Sequence, residues 1–305
     1  MDSHLNTFID SLALDHRRGA AEIVHDGIGL FREITHLAER NPLAAEQLFG
    51  RAVRRLAKGQ LSMAPLLNLL NRICRCRERT GADWGRFSVL LEEELLPEFS
   101  RVREIEGKIK YLPRIGSSII TFSNSSTVAN VIIACYQRFK WPERVICGEG
   151  RPLREGVYMA QKIRAGGVPV TLYTDAAMMS QIDRADAVWV GGDSLSRQGL
   201  VNKVGSKALA MLTRLAGIPF LSLMCEDKLL PPSLLPYTGI LPQNPHEIVA
   251  EEAEALDIVN AYYEIVPLEL ITRIFTEHGL IEPEKLVAAI DDEPVSSLFR
   301  ALVED

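Results

Sequence analysis

The sequence predicts an α/β protein in which an N-terminal helical domain, residues 1–113, precedes a Rossmann-like domain with a doubly wound parallel sheet, residues 114–305. Before Pro113, apolar residues recur three and four positions apart, which is the spacing of an amphipathic helix. After Pro113, short apolar runs alternate with helical segments, and strands that alternate with helices of this length form parallel crossovers. A chain of 305 residues is long enough for two such domains.

In the first half of the chain, the periodicity predicts four helices. They cover residues 20–37, 43–56, 64–76 and 84–111. Pro42 falls near the first turn of the second helix, where a proline is tolerated because that N–H has no helical partner, and Asp83 is a candidate N-cap of the fourth. Pro97 lies inside the fourth pattern and predicts an interruption or kink there, because proline removes a helical hydrogen bond.

In the second half, five predicted strands alternate with four predicted helices. The strands cover residues 118–122, 144–147, 168–173, 187–190 and 219–224, and the helices cover residues 127–139, 156–165, 176–184 and 206–216. Gly166, Gly167 and Gly217 fall where these helices end, as C-cap glycines do. The alternation therefore indicates parallel strands joined by helical crossovers.

Composition argues against several classes of protein. The net charge of −6 and the pI near 5.7 disfavour general nucleic-acid binding, which needs a basic face. No apolar run reaches about 18 residues and the N-terminus has no signal-peptide pattern, so we expect a soluble, cytoplasmic protein without membrane contact. The cysteines and histidines lack ligand spacing, and no dinucleotide or P-loop glycine motif occurs, so we expect neither a metal nor a cofactor.

The most informative segment follows the fourth predicted strand. The strand ends in two glycines and Asp193, and a polar turn beyond them presents Asn202 and Lys203. Open α/β sheets bind ligands at the carboxyl ends of their strands. Lys203 suits a negatively charged group, while Asp193 and Asn202 suit hydroxyl groups or proton transfer. The segment therefore indicates a phosphorylated, hydroxyl-rich ligand.

Other predicted strands also end in polar residues. The first is followed, at the start of a helix, by Ser123, Asn124, Ser125 and Ser126. Free backbone N–H groups at such a helix start bind anions, and ordinary N-capping is the alternative. The second strand is followed by Glu149 and Arg151, where Arg151 could hold a phosphate or the two could form an ion pair that shapes the loop. Several polar strand ends at one edge of a sheet predict a pocket.

These motifs resemble the core of the translation initiation factor 2B family. The similar segments are Glu149-Gly-Arg-Pro with Gly156, then Gly191-Gly-Asp, and Asn202-Lys-Val-Gly. The family contains the regulatory alpha, beta and delta subunits of that factor. It also contains two sugar-phosphate isomerases, which act on methylthioribose 1-phosphate and ribose 1,5-bisphosphate. The resemblance extends over nearly the whole chain, including the tail from Tyr262 onward.

The resemblance implies an isomerase site with two proton-handling groups, a cysteine after the first strand and an aspartate after the fourth. Asp193 matches the aspartate, but Ser123 stands at the cysteine position. A cysteine thiol has a pKa near 8.5, whereas a serine hydroxyl is a far weaker acid and needs a partner base. The segment at residues 62–65, Ser-Met-Ala-Pro, also lacks the arginine of the family's Arg-Pro-Thr-Ala segment.

Asp193 and Ser123 are therefore the expected catalytic positions. The expected ligand-binding residues are Arg18, Gly19, Ala20, Asn124, Ser125, Ser126, Glu149, Arg151, Asn202 and Lys203. We expect a homodimer that binds a phosphorylated sugar or nucleotide, with catalysis lost or altered by the missing thiol. The alternative is an active aldose–ketose isomerase acting on a ribose phosphate, such as ribose 1,5-bisphosphate or methylthioribose 1-phosphate, with another acid in place of the cysteine. A guanine-nucleotide-exchange component is a third hypothesis.

Overall fold

A computed structural model describes residues 2–95, 101–249 and 256–304. The chain divides into two compact units. The first consists of Met1–Ser100, Leu229–Gly239 and Asp291–Asp305, and the second of Arg101–Lys228 and Ile240–Ile290. The two-domain division at residue 113 remains a prediction.

The first unit is built from helices. They are α1 (Asp2–Ala13), α2 (Ala20–Ala38), α3 (Pro42–Gly59), α4 (Ala64–Thr80), α5 (Trp84–Leu95) and α12 (Ser297–Glu304), with a 3-10 segment at Pro232–Tyr237. The three predicted helices at residues 20–37, 43–56 and 64–76 are confirmed as α2, α3 and α4. Asn41 caps α3 by accepting a hydrogen bond from the Ala44 N–H, as the N-cap preference for asparagine leads one to expect.

The aromatic core of this unit comes from three different helices. Phe31, Phe49 and Phe87 are fully buried, and the Phe49 ring makes edge-to-face contacts with the other two at centroid distances of 5.6 and 5.8 Å. Such pairs contribute beyond their buried area. The predicted segment at residues 84–111 contains α5, α6 (Arg101–Gly107) and a 3-10 turn at Ile109–Tyr111. The predicted interruption at Pro97 lies outside the described residues.

The second unit is organised around a mostly parallel sheet of seven strands. The strands are β1 (Ser118–Phe122), β2 (Arg144–Gly148), β3 (Val170–Tyr173), β4 (Ala187–Val190), β7 (Phe220–Leu223), β9 (Arg273–Thr276) and β10 (Gly279–Ile281), in the order β10-β9-β7-β4-β1-β2-β3. Only the β9–β10 pairing is antiparallel among these strands. The helices of this unit after β1 are α7 (Ser126–Phe139), α8 (Glu155–Ala165), α9 (Asp175–Met179), α10 (Ser206–Ala216) and α11 (Pro283–Ala288). The predicted doubly wound α/β fold is thus confirmed.

A second, three-stranded antiparallel sheet follows β4. Its strands are β5 (Ser194–Ser196), β6 (Gly199–Lys203) and β8 (Tyr263–Val266), in the order β5-β6-β8. Asn202 and Lys203 lie on β6 and pair with Glu264 and Tyr263 of β8. The prediction that a turn presents these two side chains was therefore wrong. It failed because the pairing of β6 with β8 joins residues about sixty positions apart, which local patterns do not reveal.

Within the described residues, no helix combines the length and apolarity that crossing a membrane requires.

Candidate active site

The strand order places two predicted site segments next to each other. β1 lies between β2 and β4 in the sheet. Beyond β2 the order continues to β3, and beyond β4 it continues in the opposite direction to β7. The order therefore reverses between β1 and β4, and open α/β sheets bind ligands at such a switch point. Phe122 and Val190 are the last residues of the two strands and are register partners. Ser123 and Gly191 consequently leave the sheet side by side.

The loops after these two strands approach each other closely at Gly191. A Cβ atom at this position would lie 2.8 Å from both Cβ and Oγ of Ser125. Ordinary side-chain carbons do not tolerate that distance, so the position requires glycine for space. The Gly-Gly-Asp segment can thereby carry Asp193 past the start of α7.

Ser123 contacts a buried carboxylate that the sequence analysis did not identify. Its hydroxyl donates a hydrogen bond to Oε1 of Glu155 at 3.1 Å. Lys203 Nζ lies 2.9 Å from the same oxygen. Glu155 is 4% exposed and Lys203 is 2% exposed, so this is a buried ion pair with a hydroxyl attached. A serine, a carboxylate and an ammonium from three separate elements therefore form one cluster.

The second carboxylate oxygen of Glu155 is also buried. Within the described residues, Oε2 has no hydrogen-bond partner. Burial raises the pKa of Glu155, although the neighbouring Lys203 and the Ser123 hydroxyl lower it in part. The net upward direction follows because desolvation disfavours the charged form of a carboxyl group.

Asp193 forms the second acidic position of the site. Its backbone N–H donates to the carbonyl of Val201 on β6, which anchors the residue beside the strand that carries Lys203. Burial raises the pKa of the Asp193 carboxyl to about 6, with Lys228 and Lys203 lowering it and Glu155 raising it. A carboxyl group with a pKa near 6 can both accept and release a proton close to neutral pH.

Ionisable groups of both signs surround Asp193. Lys228, which is 7% exposed, follows β7, while Lys203 ends β6 and Glu155 begins α8. The site thus brings two carboxyl groups and two ammonium groups together at the carboxyl ends of parallel strands. Such displaced pKa values in clustered groups are typical of functional sites.

A glycine and an aspartate shape the loop after β2. Gly150 has φ +77°, and a Cβ atom there would lie 3.0–3.1 Å from the carboxylate atoms of Glu155. The Asp175 carboxylate accepts hydrogen bonds from the N–H groups of Gly150 at 2.8 Å and Arg151 at 2.7 Å. This clamp fixes the loop against α9 and leaves room for the Glu155 carboxylate.

The ion pair predicted in this loop has a different partner. Glu149 lies 3.6 Å from Nε of Arg154 rather than pairing with Arg151, whose side chain is exposed. The ion-pair alternative therefore applies to Glu149 with Arg154, where the backbone turns with φ +60°. Whether Glu149 and Arg151 bind a ligand remains a prediction.

The predicted polar start of α7 is present. Ser125 is the N-cap of α7, and its Oγ accepts a hydrogen bond from the Val128 N–H at 3.3 Å. Asn124 and Ser126 are half-buried beside it. Ser123 has φ +69°, which is uncommon for a residue with a side chain and is found disproportionately at functional sites. The capping alternative thus applies to Ser125, and anion binding by this segment remains a prediction.

Asn202 and Lys203 are both buried on β6. The Asn202 amide donates to Oγ of Ser206, the first residue of α10, at 3.0 Å. Lys203 has Glu155 as its partner. Both side chains are therefore tied into the site, and ligand contacts by either one would add to these bonds.

The predicted ligand-binding residues Arg18, Gly19 and Ala20 belong to the helical unit. Arg18 forms ion pairs with Asp15 at 2.5 Å and with Asp26 at 2.6 Å. Gly19 is the N-cap of α2 and Ala20 is its first residue. The positive charge of Arg18 is therefore already matched by two carboxylates, and its role in substrate binding remains a prediction.

Glu155 and Lys228 are the site residues that sequence reasoning missed. Glu155 stands directly before Gly156, which the motif did include, and a Cβ at Gly156 would lie 1.9 Å from the Gly148 carbonyl oxygen. The signal for Glu155 was thus a carboxylate at the start of a helix in a motif that also requires glycine. Lys228 had no such signal.

The described residues provide neither an exposed cysteine thiol nor a cluster of metal ligands. All five cysteines are buried, and burial raises the pKa of Cys147, at the end of β2, to about 12. In the part of the chain that the structure describes, no group of three or more His, Cys, Asp or Glu side chains could hold a metal ion.

Comparison with known proteins identifies relatives over most of the chain. The model of the initiation factor 2 subunit family matches residues 16–283. Ribose 1,5-bisphosphate isomerase of Archaeoglobus fulgidus is 26% identical over 284 residues, which cover 90% of this chain and 88% of that protein. The isomerase of the same name from Methanocaldococcus jannaschii is 31% identical over 173 residues, which cover 55% of this chain and 56% of that protein.

A solved structure has the same fold. The Pyrococcus horikoshii OT3 translation initiation factor eIF-2B superimposes with a TM-score of 0.79 at 24% identity, over 93% of this chain and 98% of that one. At this level of identity, the likeness extends to the fold alone.

Proposed function

The chain belongs to the initiation factor 2 subunit family, and we propose that it is an aldose–ketose isomerase that acts on a ribose phosphate. The observation that carries this proposal is the cluster of Asp193, Glu155, Ser123 and Lys203 at the switch point of the sheet. The names of the relatives support the same activity, since the Archaeoglobus and Methanocaldococcus proteins are both ribose 1,5-bisphosphate isomerases.

Isomerisation of an aldose 1-phosphate needs two groups that exchange protons. One takes the proton from carbon 2 and returns it to carbon 1, and the other serves the sugar oxygens. Asp193 suits the first role, because a carboxyl group with a pKa of about 6 is mostly ionised at neutral pH and yet basic enough to accept a proton. Lys203 and Lys228 lie close enough to influence its charge and would stabilise negative charge that develops on the substrate.

The expectation that catalysis is lost gains no support from these findings. That expectation rested on Ser123 in place of a cysteine, because an isolated hydroxyl is too weak an acid. Ser123 is not isolated, since it is hydrogen-bonded to Glu155. The structure therefore offers a titratable group beside the serine, and the relatives that match over most of their length favour an active enzyme.

Phosphate binding is the second part of the proposal. The α7 start with Ser125 and Ser126 and the exposed Arg151 are the proposed phosphate contacts. Helix N-termini and guanidinium groups are the usual protein partners of phosphate.

The proposal is tested by following the conversion of ribose 1,5-bisphosphate and of methylthioribose 1-phosphate to their ketoses by ³¹P NMR. We expect turnover of one of them by the wild-type protein and a loss of about 10²–10⁴-fold in Asp193→Asn, the usual value of a positioned acid–base group. Asp183→Asn, which changes an exposed carboxylate of the same unit, is the matched control and should retain activity. Binding of both sugars without turnover would instead favour a regulatory or assembly protein.

A further inference from the structure

We propose that Glu155, acting through the hydroxyl of Ser123, supplies the second proton-handling function of the site in place of a cysteine. Ser123 would be the residue that touches the substrate, and Glu155 its proton partner. This inference rests on the proposed isomerase function. It assigns the second proton-handling group, which serves the sugar oxygens while Asp193 serves the carbon atoms.

The geometry of the pair carries the proposal. The hydroxyl of Ser123 lies 3.1 Å from Oε1 of Glu155, within hydrogen-bond distance for proton transfer. A hydroxyl group has one donor hydrogen and two acceptor lone pairs, so it can pass a proton in either direction. Ser123 also directly follows β1 at the switch point, whereas Glu155 is too deeply buried, at 4% exposure, to meet a substrate directly.

The surroundings of Glu155 point to more than a structural ion pair. Its Oε2 is buried and has no hydrogen-bond partner among the described residues. A structural carboxylate would be expected to use both oxygens, because an unsatisfied buried acceptor is costly. The backbone of Gly150, with φ +77°, packs against the Glu155 carboxylate, and a Cβ atom at this position would crowd that carboxylate.

Glu155 is also prepared to carry a proton. Burial raises the pKa of Glu155, and Lys203 on β6 is the charged group beside it. Asp193, after β4, interacts with Glu155, with Lys203 and with Lys228, which follows β7. Two carboxyl groups that interact in this way resist being ionised together. The reactive form of the site is then the one with Asp193 ionised and Glu155 protonated, which the raised pKa of Glu155 brings closer to neutral pH.

The proton transfers balance over the two halves of the reaction. In the first, Asp193 takes the proton of carbon 2, the released pair forms the C1–C2 double bond, and the bond from C1 to the ring oxygen breaks. The ring oxygen takes the proton of the Ser123 hydroxyl, which is replaced by the proton of Glu155. The enol phosphate keeps its hydroxyl on carbon 2.

In the second half, Ser123 accepts the proton of the carbon 2 hydroxyl and passes its own to Glu155. The electron pair of the O–H bond on carbon 2 forms the C=O double bond of the ketone. The electron pair of the C1–C2 double bond takes the proton of Asp193, so that carbon 1 gains the hydrogen. Asp193 is then ionised and Glu155 protonated, as at the start, so no oxidant or further reactant is needed.

A double-mutant cycle separates this role from a structural one. Glu155→Gln in the wild-type background should lower kcat by about 10²–10⁴-fold, because the serine loses its proton partner. In a Ser123→Cys background, the same change should cost less than about tenfold, because a thiol titrates near pH 8.5 without a partner. Equal losses in both backgrounds, or no loss in the wild type, would overturn the proposal.

The pH profile supplies a readout that a structural role does not move. In the wild type, kcat should fall as the pH rises through the raised pKa of Glu155. In the Ser123→Cys, Glu155→Gln double variant, this alkaline limb should move toward about pH 8.5, where the thiol titrates. An alkaline limb at the same pH in both proteins would contradict the assignment.

Folding is controlled with a second variant. Glu155→Asp keeps the negative charge beside Lys203 but withdraws the carboxylate from Ser123 by one methylene. It should fold, lose activity and be rescued by Ser123→Cys; failure of that rescue in folded protein counts against the proposal. Absence of any wild-type turnover would overturn the isomerase function itself, whereas turnover that is indifferent to Glu155 would overturn only this inference.

Discussion

Lys203 Nζ lies 2.9 Å from Glu155 Oε1, and both side chains are buried in the α/β unit. An ion pair removed from water depends on both partners, because either charge left alone carries its desolvation cost uncompensated. The relationship therefore governs the stability of the unit as well as the chemistry at Ser123.

Removing one partner of this pair should destabilise the protein more than removing both. Lys203→Met should lower the free energy of unfolding by roughly 3 kcal/mol, near the low end for breaking a buried pair, because Glu155 can take up a proton. Lys203→Met combined with Glu155→Gln should recover most of that loss. Urea denaturation at pH 7 measures both, and an equal loss in the single and double variants would contradict the expected recovery.

Asp193→Asn should stabilise the protein at neutral pH. The pKa of Asp193 is raised from 3.8 to about 6, so the native state binds a proton that the unfolded state has released between these values. Stability is accordingly lost as pH rises through this window. The amide should raise the free energy of unfolding by roughly 2–3 kcal/mol at pH 7, at about 1.4 kcal/mol per unit of pKa shift.

The gain should largely disappear at pH 4, near the lower end of this window, where Asp193 is protonated in the native protein. Asp183→Asn, at an exposed position, should leave the free energy of unfolding nearly unchanged at both values of pH. A stabilisation by Asp193→Asn that is the same at pH 4 and pH 7 would mean that charge is not its cause.

Catalytic rate should fall on the acid side of pH 6. Below the pKa of Asp193, which is about 6, the carboxyl group is protonated and cannot accept the proton of carbon 2. We expect kcat/KM to decrease by about tenfold per pH unit below that point, as for loss of a single base. A profile that is flat between pH 5 and pH 8 would exclude Asp193 as the base.

Gly191→Ala should destabilise the protein and impair the site. The added methyl group would lie 2.8 Å from the Ser125 side chain, which caps α7, so the two loops must move apart. Overpacking of this kind costs about 1–3 kcal/mol. Gly29→Ala, in α2, meets no atom within 4 Å and should instead be neutral or stabilising by about 0.5–1 kcal/mol. Equal behaviour of the two variants in urea would contradict the close approach.

The protein should sediment as a homodimer. Large apolar side chains of the α/β unit are exposed, including Met211 and Leu215 on α10, at 56% and 86% exposure. Exposed apolar side chains are often buried in subunit interfaces. Sedimentation velocity at micromolar concentration should give about twice the 33.9 kDa chain mass. A single monomeric species would refute the prediction.

The sheet and the helices that follow its strands could be predicted from the sequence because their signals are local. Residues 118–122 and 187–190 were identified from short apolar runs, and the structure has strands at the same positions. Since both end at the same edge of a parallel sheet, the proximity of Ser123 to the Asp193 segment also followed from the alternation of strands and helices.

The chemistry beside Ser123 could not be predicted in the same way. Glu155 reaches Ser123 across 32 positions of sequence, and Lys203 reaches Glu155 across a further 48. These contacts depend on the Gly150 turn, the Asp175 clamp and the β6–β8 pairing, none of which has a periodic signature. The departure from the family's cysteine therefore suggested a lost activity, while the compensating carboxylate became visible only in three dimensions.

The most direct test of an Asp193-mediated proton transfer is the isomerase reaction run in D₂O, with the ketose product examined by proton NMR. Deuterium should enter at carbon 1 in those turnovers in which the proton on Asp193 exchanges with solvent before it is returned, and Asp193→Asn should form no product at a comparable rate. Turnover by Asp193→Asn at the wild-type rate would contradict the proposed site.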